Sequence, residues 1–142
     1  MSTGQSTMRA GRADDIEHVL ALWARARSGR ASVQDSADAL ERLLGDRPGA
    51  LLVAELDGHV VGALIATSDG WRGNMYRLAV DPAHRRRGIA RALVRAGELR
   101  LHAGGTRRIT ALVAHDDEVA CGLWRAAGYD ADREIGRFVR NL

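Results

Sequence analysis

A mixed α/β fold, with a mostly antiparallel twisted sheet and helices on both faces, is predicted by three stretches of the chain. In the first, strand character gives way to helical period. Leu78, Ala79 and Val80 close an extended run, and Asp81-Pro82 stops it, because proline has no N–H to give a ladder. Ile89, Ala92, Leu93, Ala96 and Leu99 then share one helical face, with Arg91, Arg95 and Glu98 away from it. The second stretch is Asp57-Gly58, a two-residue link between the apolar runs 50–56 and 59–67, which reads as a tight hairpin. The third is 108–114, where Ile109, Ala111 and Val113 alternate onto one face of a strand. Together they place a strand–helix–strand unit at the centre, with hairpins on either side.

The remaining elements follow in order. Residues 8–12 form a short first strand. Asp14 reads as an N-cap with Glu17 three positions on, and Ile16, Val19, Leu20 and Trp23 make a helical face to about Arg27, ended by Ser28-Gly29. A second helix starts near Val33 or Asp35 and runs to Leu44, with Ala37, Leu40, Leu43 and Leu44 inward and Gly45 as its stop. Arg47-Pro48-Gly49 is a turn. Gly62 inside a strand signals either a bulge or close packing. Residues 68–73 are a loop, and residues 74–80 are the strand entering the central unit. The long helix stops at Gly104-Gly105. Asp116 or Asp117 caps a further helix bearing Ala120, Leu123, Trp124 and Ala127, closed by Gly128. Residues 129–142 hold one or two short strands, best seen at 137–140.

At 142 residues, 46% apolar and 27% charged, the chain has the balance of a globular domain. Residues 1–7 are polar and small, without an apolar signal region, and read as a loose leader to a single domain over 8–142. All 21 Lys+Arg residues are arginine, so the pI of 9.9 coexists with a net charge of only +3. The arginines are scattered and aromatics make up 4%, which argues against a nucleic-acid surface. No apolar run is long enough for a membrane span, and no membrane partner is expected. The single Cys121 excludes an internal disulfide and a multi-cysteine metal site, so no metal is expected and a reducing cytoplasm is the simplest compartment.

Between strand and helix lies Arg85-Arg86-Arg87-Gly88-Ile89-Ala90. The first N–H groups of a helix lack intrahelical partners and carry partial positive charge. Gly88 and Ala90 leave room for close approach, and the arginines supply fork-shaped donors, so the segment suits a phosphate. Neither the three-glycine dinucleotide fingerprint nor the Walker loop is present. The segment resembles the pyrophosphate loop of the GNAT acetyltransferases, Arg/Gln-x-x-Gly-x-Gly/Ala. A second block, residues 117–129, resembles that family's Asn-x-x-Ala-x-x-Leu-Tyr-x-x-x-Gly-Phe, with Asp117 and Trp124 at the asparagine and tyrosine positions. The resemblance spans about residues 8–142. It implies a GNAT-like sheet splayed between the strand ending at Val80 and the strand at 108–114. The pantetheine arm of acetyl-CoA would enter there along Leu78, Ala79 and Val80, and its pyrophosphate would rest on Arg85, Arg86, Arg87, Gly88, Ile89 and Ala90. It implies transfer of acetyl from acetyl-CoA to a primary amine by direct attack. The alternative is a non-catalytic acyl-CoA-binding or protein-interaction module of the same fold.

Trp124 cannot take over the acid role proposed for the family's tyrosine, because an indole has no proton of useful acidity. The resemblance counts Asp117 and Trp124 among the cofactor-binding residues, although a helix cap is the better reading of Asp117. Candidates for proton handling are Tyr76 on the strand beside the thioester, His115 at the end of the opposite strand and Glu55 on a neighbouring strand. Trp71 either lines an acceptor mouth or covers the sheet edge, with Arg72 beside it. Residues 29–34 and 68–73 are the acceptor loops. The acceptor's identity and charge are open; a homodimer is compatible with a sequence that carries no signal of oligomeric state.

Overall fold

The structure, a computed structural model, describes residues 4–26 and 34–142. Its elements are β1 (Thr7–Ala10), α1 (Ile16–Ala26), α2 (Ala37–Asp46), β2 (Leu51–Leu56), β3 (His59–Ser68), β4 (Gly73–Val80), α3 (Ile89–Ala103), β5 (Ile109–Ala111) and α4 (Glu118–Ala126). Short 3₁₀ turns lie at Ala13–Asp15 and Pro82–His84. The sheet order is β1-β2-β3-β4-β5, antiparallel through β4, with β5 parallel to β4. The parallel pair requires a crossover, and α3 supplies it.

Strand alternation sends the two faces of the sheet to two cores. Leu51, Val53, Ala63 and Ile65 pack with α1 and with Leu40 of α2. Leu52, Ala54, Leu64 and Met75 pack with α3 and with Trp124 of α4. The Asp57-Gly58 link forms as expected: both residues have positive φ, 51° and 80°, the signature of a type I′ turn that matches strand twist.

Gly62 proves to be both alternatives. The β2–β3 register slips beside it, between Ala54 and Glu55. A Cβ there would also lie 3.0 Å from Leu93 Cδ1 and 3.1 Å from Ile89 Cγ2, so α3 sits directly on the strand.

Several local expectations are corrected. The first helix is entered through Asp15, not Asp14: the Asp15 carboxylate accepts the Arg12 N–H at 2.8 Å and the Arg9 guanidinium at 2.8 and 2.9 Å. Ser36 caps α2 by accepting the Ala39 N–H at 3.1 Å, Ala37 faces solvent, and the helix runs through Gly45 to Asp46. On α3 the inward residues are Ile89, Leu93, Val94, Gly97 and Leu101, while Leu99 is 55% exposed. The stripe continues at three- and four-residue steps and passes beside Leu99. Only Ile109–Ala111 of the expected strand 108–114 joins the sheet. Residues 129–142 form no strand: all of 130–142 is exposed, Phe138 at 99%. The apolar residues 135, 138, 139 and 142 lack the strict alternation a half-buried strand needs. The expected end of α1 at Arg27 and Ser28-Gly29, the earlier start of α2 at Val33 and most of the loop 29–34 lie outside the described residues.

Candidate active site

The site is built where β4 stops behaving as a regular strand. Met75 packs in the α3 core and Tyr76 against the α1 core, as alternation demands. Two residues on, Leu78 and Val80 pack against the α3 core, and Ala79 packs in the α1 core. Odd and even positions have exchanged faces, so one residue has been inserted. The register confirms it: Ile65 pairs with Tyr76 but Ala63 pairs with Ala79. The extra residue is a β-bulge at Arg77, whose φ is 55°. A left-handed backbone costs a residue with a Cβ about 1–2 kcal/mol, so surrounding contacts must hold it. They are visible: the Trp23 indole N–H donates to the Arg77 carbonyl at 3.0 Å, the guanidinium lies 5.8 Å from the Trp23 ring centroid, and Arg77 Nε is 2.9 Å from Asp35 Oδ1.

On its other side β4 opens. Pairing with β5 covers Gly73–Ile109, Asn74–Thr110 and Met75–Ala111. Leu112 N–H still reaches the Met75 carbonyl at 3.3 Å, and no ladder pair follows. Residues 76–80 therefore present a strand edge with no β5 pairing, at the place where the family resemblance implies the splay.

At the end of that edge is the arginine loop. Asp81 caps the Pro82–His84 turn by accepting the Ala83 N–H at 3.0 Å, and it also meets Arg25 at 2.9 Å. These two bonds, the amide first, hold its carboxyl below the usual range. Gly88 is the N-cap of α3 with φ 78°, a conformation open to glycine, and a Cβ on it would meet nothing within 4 Å. Arg85, Arg86 and Arg87 are exposed. Arg85 reaches the Ala26 carbonyl at 3.4 Å, while Arg86 and Arg87 have no hydrogen-bond or ion-pair partner among the described residues. His84 Nδ1 is buried there without a hydrogen-bond partner among the described residues. Exposed cationic forks beside open space over Gly88, at the head of a helix, fit a phosphate-bearing ligand.

The other expected site residues are dispersed. Tyr76 is half-buried beside the bulge, and burial raises its phenol while neighbouring Arg77 opposes that shift. His115 is exposed, beyond the end of β5. The Glu55 carboxylate is engaged by Arg9 at 3.4 Å, on β2, two strands from β4. It lines a cavity of about 500 Å³ with Asp15, His18, His59, Asp81 and His84, on the α1 side of the hairpin end. Trp71 is 81% exposed, in a turn where Asp69 accepts the N–H groups of Trp71 and Arg72 at 2.8 Å each. That turn lies at the opposite end of β4 from the arginine loop, with the β4–β5 rungs between it and the splay. Asp117 accepts the Ala120 N–H at 3.0 Å and so caps α4. Trp124 is buried in the α3 core, edge-on to Tyr129 at 4.9 Å. The Tyr129 hydroxyl donates to Glu98 at 2.9 Å; burial first and that bond second push its phenol far up.

Comparison with known proteins decides the family. The model of the Acetyltransferase (GNAT) family matches residues 16–129. The chain belongs to the GNAT acetyltransferases. It is 37% identical over 123 residues to the acetyltransferase ECA0875 of Pectobacterium atrosepticum, covering 87% of this chain and 86% of that one. Its fold matches the structure of AAC(6')-Iy in complex with the bisubstrate analogue CoA-S-monomethyl-acetylneamine, with TM-score 0.77, 17% identity and coverage of 97% and 99%. It also matches a ribosomal-protein-alanine N-acetyltransferase from Brucella melitensis biovar Abortus 2308, with TM-score 0.75, 22% identity and coverage of 96% and 99%. As a GNAT enzyme the chain is an acetyltransferase that takes its acetyl group from acetyl-CoA. The mixed sheet and its crossover are those the family resemblance implied.

Sequence reasoning missed the Trp23–Arg77–Asp35 cluster. The signal was present: an arginine between Tyr76 and Leu78, in a strand whose apolar residues break alternation. Trp23 on a helical face could be assigned to the core, but its partner lies 54 residues away.

Proposed function

We propose that this acetyltransferase acetylates a primary amine by direct attack on acetyl-CoA held along β4. The diphosphate rests on Arg85, Arg86, Arg87 and the N–H groups that follow Gly88, and the pantetheine arm lies along Leu78, Ala79 and Val80. The observation that carries this reading is the open edge of residues 76–80 running into the left-handed Gly88 at the head of α3. A pantetheine amide is a peptide analogue, so an unpaired strand edge suits it as an added strand would.

An amine must be neutral to attack, and the carbonyl oxygen gathers charge as it does. The Leu78 N–H, just past the bulge, is the donor proposed for that oxygen. Burial raises the Tyr76 phenol, which disfavours it as a base. His115 is the side chain proposed to take the amine's proton. Glu55 is committed to Arg9, Trp71 and Arg72 lie beyond the ladder, and Asp117 and Trp124 shape α4, so none is assigned a direct part. Among the described residues no helix is long and apolar enough to cross a membrane, and a cytoplasmic location is proposed.

Calorimetry with acetyl-CoA tests the loop. Gly88→Val forces a β-branched residue to φ 78°, and Arg85→Glu places an anion at the diphosphate. Both variants should bind at least tenfold more weakly, about the effect of one charge-assisted hydrogen bond. Undiminished affinity in both removes the assignment. Release of free thiol across a panel of amines, from small polyamines to peptide N-termini, identifies the acceptor. No turnover on any of them favours a binding module.

A further inference from the structure

We infer that Trp23 is a positioning residue whose indole N–H sets the direction of the Leu78 amide through the peptide they share. The inference rests on the reading above, that the acetyl carbonyl sits at Leu78. A trans peptide is planar, with its C=O and N–H pointing opposite ways. The Arg77 carbonyl and the Leu78 N–H belong to one such unit. Trp23, 3% exposed on the inward face of α1, holds that carbonyl at 3.0 Å. The Leu78 N–H is therefore turned away from α1. Without the bond, the bulge peptide is free to rotate and the donor loses its aim.

Chemistry favours this assignment over a packing role alone. An indole nitrogen only donates, so it fixes the acceptor side of the peptide, the carbonyl, and leaves the N–H side unengaged. Arg77 is one of three non-glycine residues with positive φ among those described, and the only one of them inside a strand. The other two, Asp57 and Arg86, lie in exposed turns. A strained bulge in the middle of a sheet, clamped from a helix by a buried donor, is a directed peptide. The Asp35 carboxylate and the Trp23 ring hold the guanidinium, which keeps the same residue in place from its side chain.

The test uses Trp23→Phe, which keeps the aromatic body and removes the donor. Isotope-edited infrared spectroscopy follows the ¹³C-labelled carbonyl of bound acetyl-CoA, and calorimetry follows CoA. The expected result is a carbonyl band moved back toward that of free acetyl-CoA. The acetyl-CoA to CoA affinity ratio should fall roughly fivefold, the range of one neutral hydrogen bond, while CoA affinity itself stays within twofold. Arg77→Gly added to Trp23→Phe should restore part of the band shift, because glycine adopts φ 55° unaided. Arg77→Ala, which keeps the N–H to carbonyl bond and loses the side-chain contacts, should move the band less than Trp23→Phe does. A wild-type band in Trp23→Phe, or a shift in Arg77→Ala as large as that in Trp23→Phe, overturns the inference. If wild-type protein binds CoA but shows the free-solution carbonyl band, the Leu78 reading has failed instead. Should Trp23→Phe not fold alone, the double variant and Arg77→Ala carry the same decision.

Discussion

Replacing Gly62 by alanine probes how α3, and with it the arginine loop, is seated on the sheet. A new Cβ would stand 3.0 Å from Leu93 Cδ1, 3.1 Å from Ile89 Cγ2 and 3.3 Å from the Ala79 carbonyl oxygen. None of the three can yield easily. Leu93 is fully buried, Ile89 is 3% exposed, and the carbonyl belongs to the neighbouring strand. Overpacking of this kind costs about 1–3 kcal/mol. Removing glycine's freedom in the unfolded chain returns about 0.5–1 kcal/mol. Overpacking outweighs that gain over nearly the whole of both ranges, leaving a net loss of up to about 2.5 kcal/mol, seen as a urea midpoint lowered by up to roughly 1 M at the slope usual for small proteins. Ile89 immediately follows Gly88, so the strain is delivered to the head of α3, and acetyl-CoA affinity should fall with stability. Leu93→Val removes the atom at 3.0 Å, so the double variant should be more stable than the sum of the two single changes. A midpoint that rises for Gly62→Ala, as the entropy term alone would give, refutes the seating of α3 described above.

Other outcomes follow from single contacts. Asp15→Asn should cost about 2–3 kcal/mol by denaturant titration, less than a fully buried pair because Arg9 keeps Glu55 and is partly exposed. The Arg9 hydrogen bonds, joined by the Arg12 amide and opposed by burial, hold the Asp15 carboxyl below its unfolded value. Its stabilisation is therefore complete above the unfolded value of about 3.9 and drains away as pH falls through the lower folded value; acid titration monitored by circular dichroism should show the loss there, and Asp15→Asn should flatten it. Gly122→Ala lies inside α4 with nothing within 4 Å of the new methyl, and should raise stability by about 0.5–1 kcal/mol. Asp117→Ala removes the cap of the same helix and should cost about 1 kcal/mol, with faster amide exchange in its first turn.

Much of the fold was legible because one kind of information repeated along the chain. The Asp57-Gly58 turn demanded two positive φ values and took them, and the change of period after Pro82 marked the crossover. Gly88 was found by its place before a helical face, and it is the α3 N-cap. What escaped reading depends on residues distant in sequence. The Arg77 bulge is clamped by Trp23 and Asp35, and neither partner is named by local pattern. Asp14 and Asp15 are adjacent acids, and Arg9, reaching over from β1, joins the Arg12 N–H in selecting Asp15 at the helix entry. Residues 137–140 have strand-forming side chains but no alternation, and composition alone misplaced a strand there. Leu99 went the same way on α3, where the inward stripe reaches Leu101 through Gly97.

Three rungs hold β5 to the rest of the sheet. Behind them, α4 is fastened by Trp124 in the core, by Tyr129 to Glu98, and by Arg91 at 3.4 Å from the Ala126 carbonyl. So slender a seam makes the last quarter of the chain a cooperative unit able to detach before the four antiparallel strands melt. Acetyl-CoA bound between β4 and β5, as proposed above, would touch both banks and rivet them together. Its thermal protection should concentrate in the amides of β5 and α4, leaving β2 and β3 almost as they were.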